Sequence, residues 1–399
     1  DYSCTPYKRR KGFALWLLRI EQNNSHRTTE LMQLSLLFPY LLAGMSSTTT
    51  TTVVIGLNGA LQKRFVLSKD ATLVPGNVHR ASAIQTGIGG KGQDVAISLS
   101  CLDFPNVQLA HFVGAGPEGD TVLALLKERV GDATSLSQRT ASAMRTCTTI
   151  VASDESTELV EPSGIVTEEE REEFLSKCSE SSASNPPAAI CIMGSMPPGL
   201  PVDMYATMYE TMVASCSDET PPPLCVIDSV VGLDHTLKAI ARAKGPCILK
   251  INASELCTLA GVPKSSSEAG GIVLDELVTA VDAFVDKFDA VLDGLAITDG
   301  RHAAHLVSFG DNNQRDIYKI KVPSLDPSAV LYPIGAGDSV AAGTLGAWKS
   351  LVEANDEKEK SLSDEIHAAL DSRIGSGSDL SEQTKRIEAA FAFGLSCGS

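Results

Sequence analysis

The sequence predicts an α/β fold, a mostly parallel sheet covered by helices on both faces, with a small antiparallel sheet set outside the main layer. Three observations predict it. Short apolar runs rich in β-branched residues recur from Val53 onward, and stretches with 3.6-residue periodicity separate them. Two segments, Phe65 to Thr86 and Arg145 to Glu161, read instead as strands and turns with no helix between. Strands that alternate with helices at this spacing run parallel and bury both faces of their sheet, whereas a helix-free pair forms its own antiparallel unit.

In chain order, residues 1–52 form an N-terminal extension unlike the rest. A basic cluster at 8–11 precedes the apolar stretch GFALWLL, and a Thr run leads from Met45 into the first strand. Two readings stay open for it, a targeting segment or upstream sequence with Met45 as the real start. Residues 53–399 are expected to be one domain. Its buried-strand candidates are Val53 to Leu57, Val107 to Val113, Ala188 to Met193, Leu224 to Ile227, Cys247 to Lys250 and Leu295 to Thr298. Leu274, Leu277, Val278, Val281, Phe284, Val285 and Phe288 fall on one helical face. Residues 353–383 are polar, with GSGS at 375–378, and read as an exposed inserted loop.

Composition narrows the function. Of 399 residues, 43% are hydrophobic, enough for one large or two modest cores. Acidic residues number 49 against 33 basic, a net charge of −16, which excludes a general nucleic-acid binder. Any anionic substrate must therefore be captured by local cations and backbone amides. The ten cysteines contain no C-x-x-C pair, so free thiols in a reducing compartment are expected rather than zinc or disulfides. That favours a cytoplasmic location, or an organellar one if the extension is a targeting peptide. The best membrane candidate, Leu34 to Gly44, has 11 residues and contains Pro39, short of the roughly 20 a span needs, so no membrane partner is expected.

Three glycine loops compete for a phosphate. Gly87 to Gly92 (GIGGKG) places Lys91 as a P-loop would, but Gly92 stands where Ser or Thr must hold Mg²⁺. Gly114 to Gly119 (GAGPEG) follows a strand and opens a helix, yet no strand ending in an acid follows to hold a ribose, which argues against a dehydrogenase. Gly335 to Asp338 (GAGD) leads directly into the helical SVAAGTLGAWKSL. Amides of Gly335, Ala336 and Gly337 at a helix N-terminus can stabilise an oxyanion. Asp338 beside them is either a charge that stabilises the helix end or a general base for a hydroxyl attacking a phosphoryl group. The loop alone leaves both open.

The order of motifs carries a resemblance. GGKG-x-D-V-A at 89–96, GSMPPGLP at 194–201, a strand ending at Asp228, K-x-N-x-x-E from Lys250 to Glu255, TDG at 298–300 and GAGDS at 335–339 together resemble the PfkB (ribokinase-like) carbohydrate kinases. With TELVEPSG at 157–164, the chain looks most like the branch of 1-phosphofructokinase and tagatose-6-phosphate kinase. The resemblance implies a Rossmann-like three-layer α/β/α sandwich with a small β-sheet lid, built from about 62–86 and 144–162. It implies ATP as phosphoryl donor, Mg²⁺ as cofactor, and a sugar or sugar phosphate as acceptor. Asp338 would be the catalytic base, with Gly335, Ala336 and Gly337 as the anion hole. Asn252 and Glu255 would organise Mg²⁺ through water, although N-x-x-E equally satisfies a helix cap. Thr298 and Gly300 would border the nucleotide, together with Asn252 and Gly337. Gly89, Gly90 and Lys91 would line the acceptor pocket, with Arg145 and Arg80 available for an acceptor phosphate. A homodimer through the lid is a further expectation.

Two positions depart from the branch, which usually reads L-N-P-A-L-D and G-G-K-G-x-N. Here Leu57-Asn58-Gly59-Ala60-Leu61-Gln62 and Gly89-Gly90-Lys91-Gly92-Gln93-Asp94 stand in their place. The carboxylate and the carboxamide look exchanged, so Gln62 and Asp94 are expected to face one cavity with swapped roles. Alternatives are a kinase of another acceptor, such as ribose, fructose or a nucleoside, and a catalytically silent sugar-sensing or partner-binding protein on the same fold.

Overall fold

The computed structural model describes residues 50–398, apart from 69, 153–154, 217–220, 264–270, 289–291, 301, 310–314, 323–334, 354–371 and 375–380. The expectations for residues 1–49 and for most of the polar stretch 353–383 lie outside the described residues. Within that stretch, Ser372–Ile374 forms a short strand and Glu382 opens a helix.

Strands β1 (Thr51–Asn58), β4 (Val107–Ala115), β5 (Ser137–Ala143), β8 (Pro187–Met193), β9 (Leu224–Asp228), β10 (Cys247–Asn252), β11 (Gly294–Thr298), β12 (Ala304–Phe309), β13 (Arg315–Ile320) and β14 (Ser372–Ile374) form one sheet. Their order is β14-β13-β12-β11-β10-β9-β8-β1-β4-β5. Pairing is parallel from β11 through to β5 and antiparallel from β11 out to β14. The mostly parallel sheet is therefore correct, with an antiparallel edge added.

Helices cover both faces. On one side pack α1 (Lys91–Cys101), α2 (Pro117–Val130), α8 (Ala336–Glu353) and α9 (Glu382–Cys397), through Leu99, Leu126, Trp348 and Phe391. On the other pack α3 (Glu168–Ser184), α4 (Met204–Val213), α5 (Leu233–Ala243), α6 (Ala253–Ala260) and α7 (Leu274–Phe288), through Phe174, Tyr205, Leu237, Leu256 and Phe284. Strand β1 shows the cause: Val54 points into the first layer while Val53, Ile55 and Leu57 point into the second, the period of two of an extended chain. Each fully buried side chain of this size contributes about 1.5 to 3 kcal/mol. The result is the three-layer α/β/α sandwich.

A second sheet has the order β3-β2-β6-β7, from β2 (Ala60–Val66), β3 (Ala83–Gly89), β6 (Thr146–Ala152) and β7 (Glu155–Val160). Only Gly59 separates β1 from β2, so the chain passes directly from one sheet into the other. The helix-free segments supply this sheet, but it is mixed rather than antiparallel: each segment folds back on itself antiparallel, while β2 and β6 join the two segments in parallel. Among the described residues, those between Leu67 and Ser82 carry no strand.

The start of α1 is pressed onto β1. A β-carbon on Gly92 would lie 2.3 Å from the Gly56 Cα, so neither position tolerates a side chain. Gln93, buried behind this contact, donates from Nε2 to the Gly56 carbonyl at 2.9 Å and reaches His111 Nδ1 at 3.2 Å, while His111 Nε2 meets Ser137 Oγ at 2.7 Å. Burial, aided by Lys177, lowers the His111 pKa to about 3, so this ring is a neutral structural link. The final Gly of GIGGKG thus serves close packing.

Candidate active site

The carboxyl ends of the central strands and the inner face of the small sheet enclose a cavity of about 490 Å³. The crevice outside the strand carboxyl ends is where open α/β sheets bind ligands. The body supplies Gly89, Gly90, Lys91, Gly92 and Asp94 from the β3–α1 junction, Asp228 from the end of β9, Glu255 from α6, and Gly335 and Asp338 from the start of α8. The small sheet supplies Gln62, Arg64, Cys147, Glu158 and Val160. Gln62 and Asp94 do line one cavity.

An ion cluster occupies its floor. Lys91 Nζ donates to Asp228 Oδ1 at 2.7 Å, and Lys250 Nζ donates to Asp228 Oδ2. The Asp228 and Lys250 side chains are 2% and 6% exposed, while that of Lys91 is 40% exposed and reaches the open side. Lys250 also lies against the GAGD loop, since a β-carbon on Gly337 would stand 3.0 Å from its Nζ. Gly335 has φ 84, a left-handed conformation that favours glycine, and places Asp338 in the first turn of α8.

A family model for the pfkB family of carbohydrate kinases matches residues 55–370. The chain belongs to the pfkB family of carbohydrate kinases. Solved structures agree on the fold. The tetrameric inhibited form of phosphofructokinase-2 from Escherichia coli is 18% identical, with a TM-score of 0.58, covering 80% of this chain and 93% of that one. The same enzyme in complex with substrates and products gives 18% identity and a TM-score of 0.58 over 86% and 100%. A possible 1-phosphofructokinase from Thermotoga maritima gives 17% and 0.55 over 86% and 98%.

In this pfkB-family chain the electrostatics of the floor follow from burial and the two lysines. Burial pushes the Asp338 pKa up to about 6; Asp228 adds to the rise, and Lys250 and Lys91 oppose it. Burial alone would raise Asp228 too, but Lys250 and Lys91 outweigh it and hold Asp228 below the usual carboxylate range. Burial works against the Lys91 ammonium, and Asp228, with smaller help from Glu255 and Asp338, more than restores it. Asp94 is raised to about 8 by burial and by Asp338, against the pull of Arg129 and Arg64, so it is protonated at neutral pH.

Asn252 and Glu255 form a reciprocal capping box: Asn252 Oδ1 accepts from the Glu255 amide at 2.9 Å and Glu255 Oε2 accepts from the Asn252 amide at 2.9 Å. The cap orients Glu255, whose side chain also lines the cavity. Thr298 pairs in register with Asn252 on the neighbouring strand, and Gly300 follows in an exposed turn with φ 59. Asn252, Thr298, Gly300, Ala336 and Gly337 are not in the cavity lining. Among the described residues no group of three or more His, Cys, Asp or Glu could hold a metal ion. Glu255, a carboxylate that lines the cavity, fits Mg²⁺, which takes one or two carboxylates and completes its shell with waters and substrate phosphates.

The two arginines expected at an acceptor phosphate separate. Arg145 lines the cavity, but its guanidinium donates to the Asn58 carbonyl at 2.8 Å and to the Gly59 carbonyl at 3.2 Å, bracing the passage between the sheets. Arg80 is a correction: it is exposed in the turn segment before β3 and outside the cavity lining. Arg64 faces the cavity instead. Its signal in the sequence was the strand period, which sets residues 62 and 64 on one face. Asn58 was also missed. Its Nδ2 donates to Ser195 Oγ at 3.0 Å and its Oδ1 accepts from Ser163 Oγ at 2.8 Å, tying GSMPPGLP and TELVEPSG to β1.

Proposed function

We propose that this chain is an ATP-dependent kinase that moves the γ-phosphoryl of ATP to a hydroxyl of a sugar or sugar phosphate, with 1-phosphofructokinase-like chemistry. One observation carries the reading. Asp338, with its pKa raised to about 6, lines the same cavity as the GGKG loop and the Lys91–Asp228 pair.

Asp338 takes the proton of the attacking hydroxyl; its pKa near 6 leaves it ionised at pH 7 yet basic enough to accept. Amides of Gly335, Ala336 and Gly337 stabilise charge on the transferring group at the N-terminus of α8, without the basic surface that a chain of net charge −16 lacks. Glu255 and Asn252 would hold Mg²⁺ through water beside the phosphates. Bound Mg²⁺ supplies charge compensation across them. Gly89, Gly90 and Lys91 bed the acceptor, and Gln62 with Asp94 meets its hydroxyls. Arg64, with Arg145 behind it, suits an acceptor phosphate.

The small sheet acts as a lid that closes over the acceptor and excludes water, which would otherwise hydrolyse ATP. Its outer face supports a homodimer through the lid: Ile84 and Leu159, 63% and 56% exposed, alternate with the residues that face the cavity.

A screen of ATP consumption over fructose 1-phosphate, fructose 6-phosphate, tagatose 6-phosphate, ribose, fructose and adenosine tests the reading. Turnover with a phosphorylated ketohexose is expected. Consumption with none of these acceptors would favour the catalytically silent alternative.

A further inference from the structure

Asp228 is buried, charged and placed between two lysines that come from different motifs. Lys91 belongs to the loop that would bed the acceptor, and Lys250 to the strand that leads into N-x-x-E. A carboxylate presents two oxygens, and each lysine takes one of them. A phosphoryl group offers the same lysines the same kind of oxygen with more charge.

We propose that Asp228 is a positioning residue, a placeholder counterion that holds Lys91 and Lys250 at the phosphoryl path and releases them to an incoming polyphosphate. This role rests on the kinase reading. Without a counterion, two ammoniums in a partly dry cavity would sit at higher free energy and lose their fixed aim until an anion took the counterion's place. With Asp228 between them, both stay charged and aimed. An entering polyphosphate competes for them from the open side, where Lys91 is 40% exposed, while Lys250 already abuts Gly337. The exchange breaks and forms only ion pairs, so no proton or bond is left unbalanced.

Such a placeholder costs ground-state affinity, because every arriving anion displaces a carboxylate. A merely structural ion pair predicts the opposite, since its loss would disorder both lysines and weaken anion binding. Tripolyphosphate titrated calorimetrically without metal into wild type and Asp228→Asn separates the two. Asp228→Asn is expected to bind it about tenfold tighter while turnover falls about ten- to hundredfold. Equal or weaker binding by a folded Asp228→Asn protein would overturn the role. If that variant does not fold, Lys91→Met, changed at a partly exposed position, serves instead. It is expected to bind tripolyphosphate about tenfold more weakly, and unchanged affinity would overturn the role equally. Wild type that phosphorylates no acceptor would sink the kinase reading alone, because the titrations decide the placeholder without turnover.

Discussion

The ammonium of Lys250 takes the space into which a side chain at position 337 would grow: a β-carbon on Gly337 would stand 3.0 Å from Nζ. Lys250 cannot simply retreat, because its side chain is 6% exposed and bonded to Asp228. The GAGD loop and the β9–β10 ion cluster are therefore one mechanical unit. The pairing makes glycine at 337 a requirement of the lysine as well as of the anion hole.

Gly337→Ala should accordingly lower turnover by about tenfold or more through displaced Lys250. Stability should fall as well, because alanine's gain of up to about 1 kcal/mol over glycine in a helix is smaller than the cost of disturbing a buried ion pair. Steady-state kinetics beside a thermal melt check both, and wild-type turnover would separate the loop from the lysine.

Asp338→Asn should reduce kcat by about 10² to 10⁴, the range for a lost general base, with ATP binding little changed. In wild type, kcat/KM should rise with pH and level off above about 6, because the base must be ionised. The variant should lose that acid limb. Near-normal turnover by Asp338→Asn would remove this residue from the mechanism.

Asp94 sets a stability dependence on pH. Its pKa of about 8 in the fold lies above the ordinary carboxyl value, so the folded state holds this proton more tightly than the unfolded chain. The stability it contributes is complete below about pH 4 and is lost as pH rises through about 8. Asp94→Asn should remove that slope, so denaturant midpoints of variant and wild type should diverge progressively between pH 5 and 8. Parallel curves would mean that Asp94 is already ionised in the fold.

The N-x-x-E pair can be split by substitution. Asn252→Ala should cost about 1 kcal/mol by removing a helix cap. Glu255→Gln keeps an acceptor for the Asn252 amide but loses the charge that faces the cavity. Its melting temperature should stay near wild type while the Mg²⁺ concentration for half-maximal activity rises. If Glu255→Gln instead melts early with an unchanged Mg²⁺ requirement, the pair serves as a cap alone.

Legibility in the sequence followed the range of the interactions. Strands such as AAICIM and LCVID were visible because a fully buried strand has to be apolar along its whole length. Strand β5, SQRTASA, was not, because it lies at the sheet edge and carries no apolar run. Strand β13, RDIYKI, was missed as well; it sits in the antiparallel margin of the sheet and is interrupted by charges. The glycine loops were legible through local backbone demands, whereas Arg80 and Arg64 were not distinguishable without knowing which way the small sheet turns.

The sequence by itself determined the alternation of strands and helices, the family motifs and the residues at the helix N-termini, all set by neighbours within a few positions. Only the tertiary structure decided that Asp228 joins Lys91, 137 residues away, to Lys250, 22 residues away, beneath Asp338. Charges so far apart in the chain meet only when parallel strands bring their carboxyl ends to one crevice. There the charges that meet a buried carboxyl, rather than residue type, fix which one ionises: Lys250 and Lys91 hold Asp228 ionised, while burial and Asp338 keep Asp94 protonated.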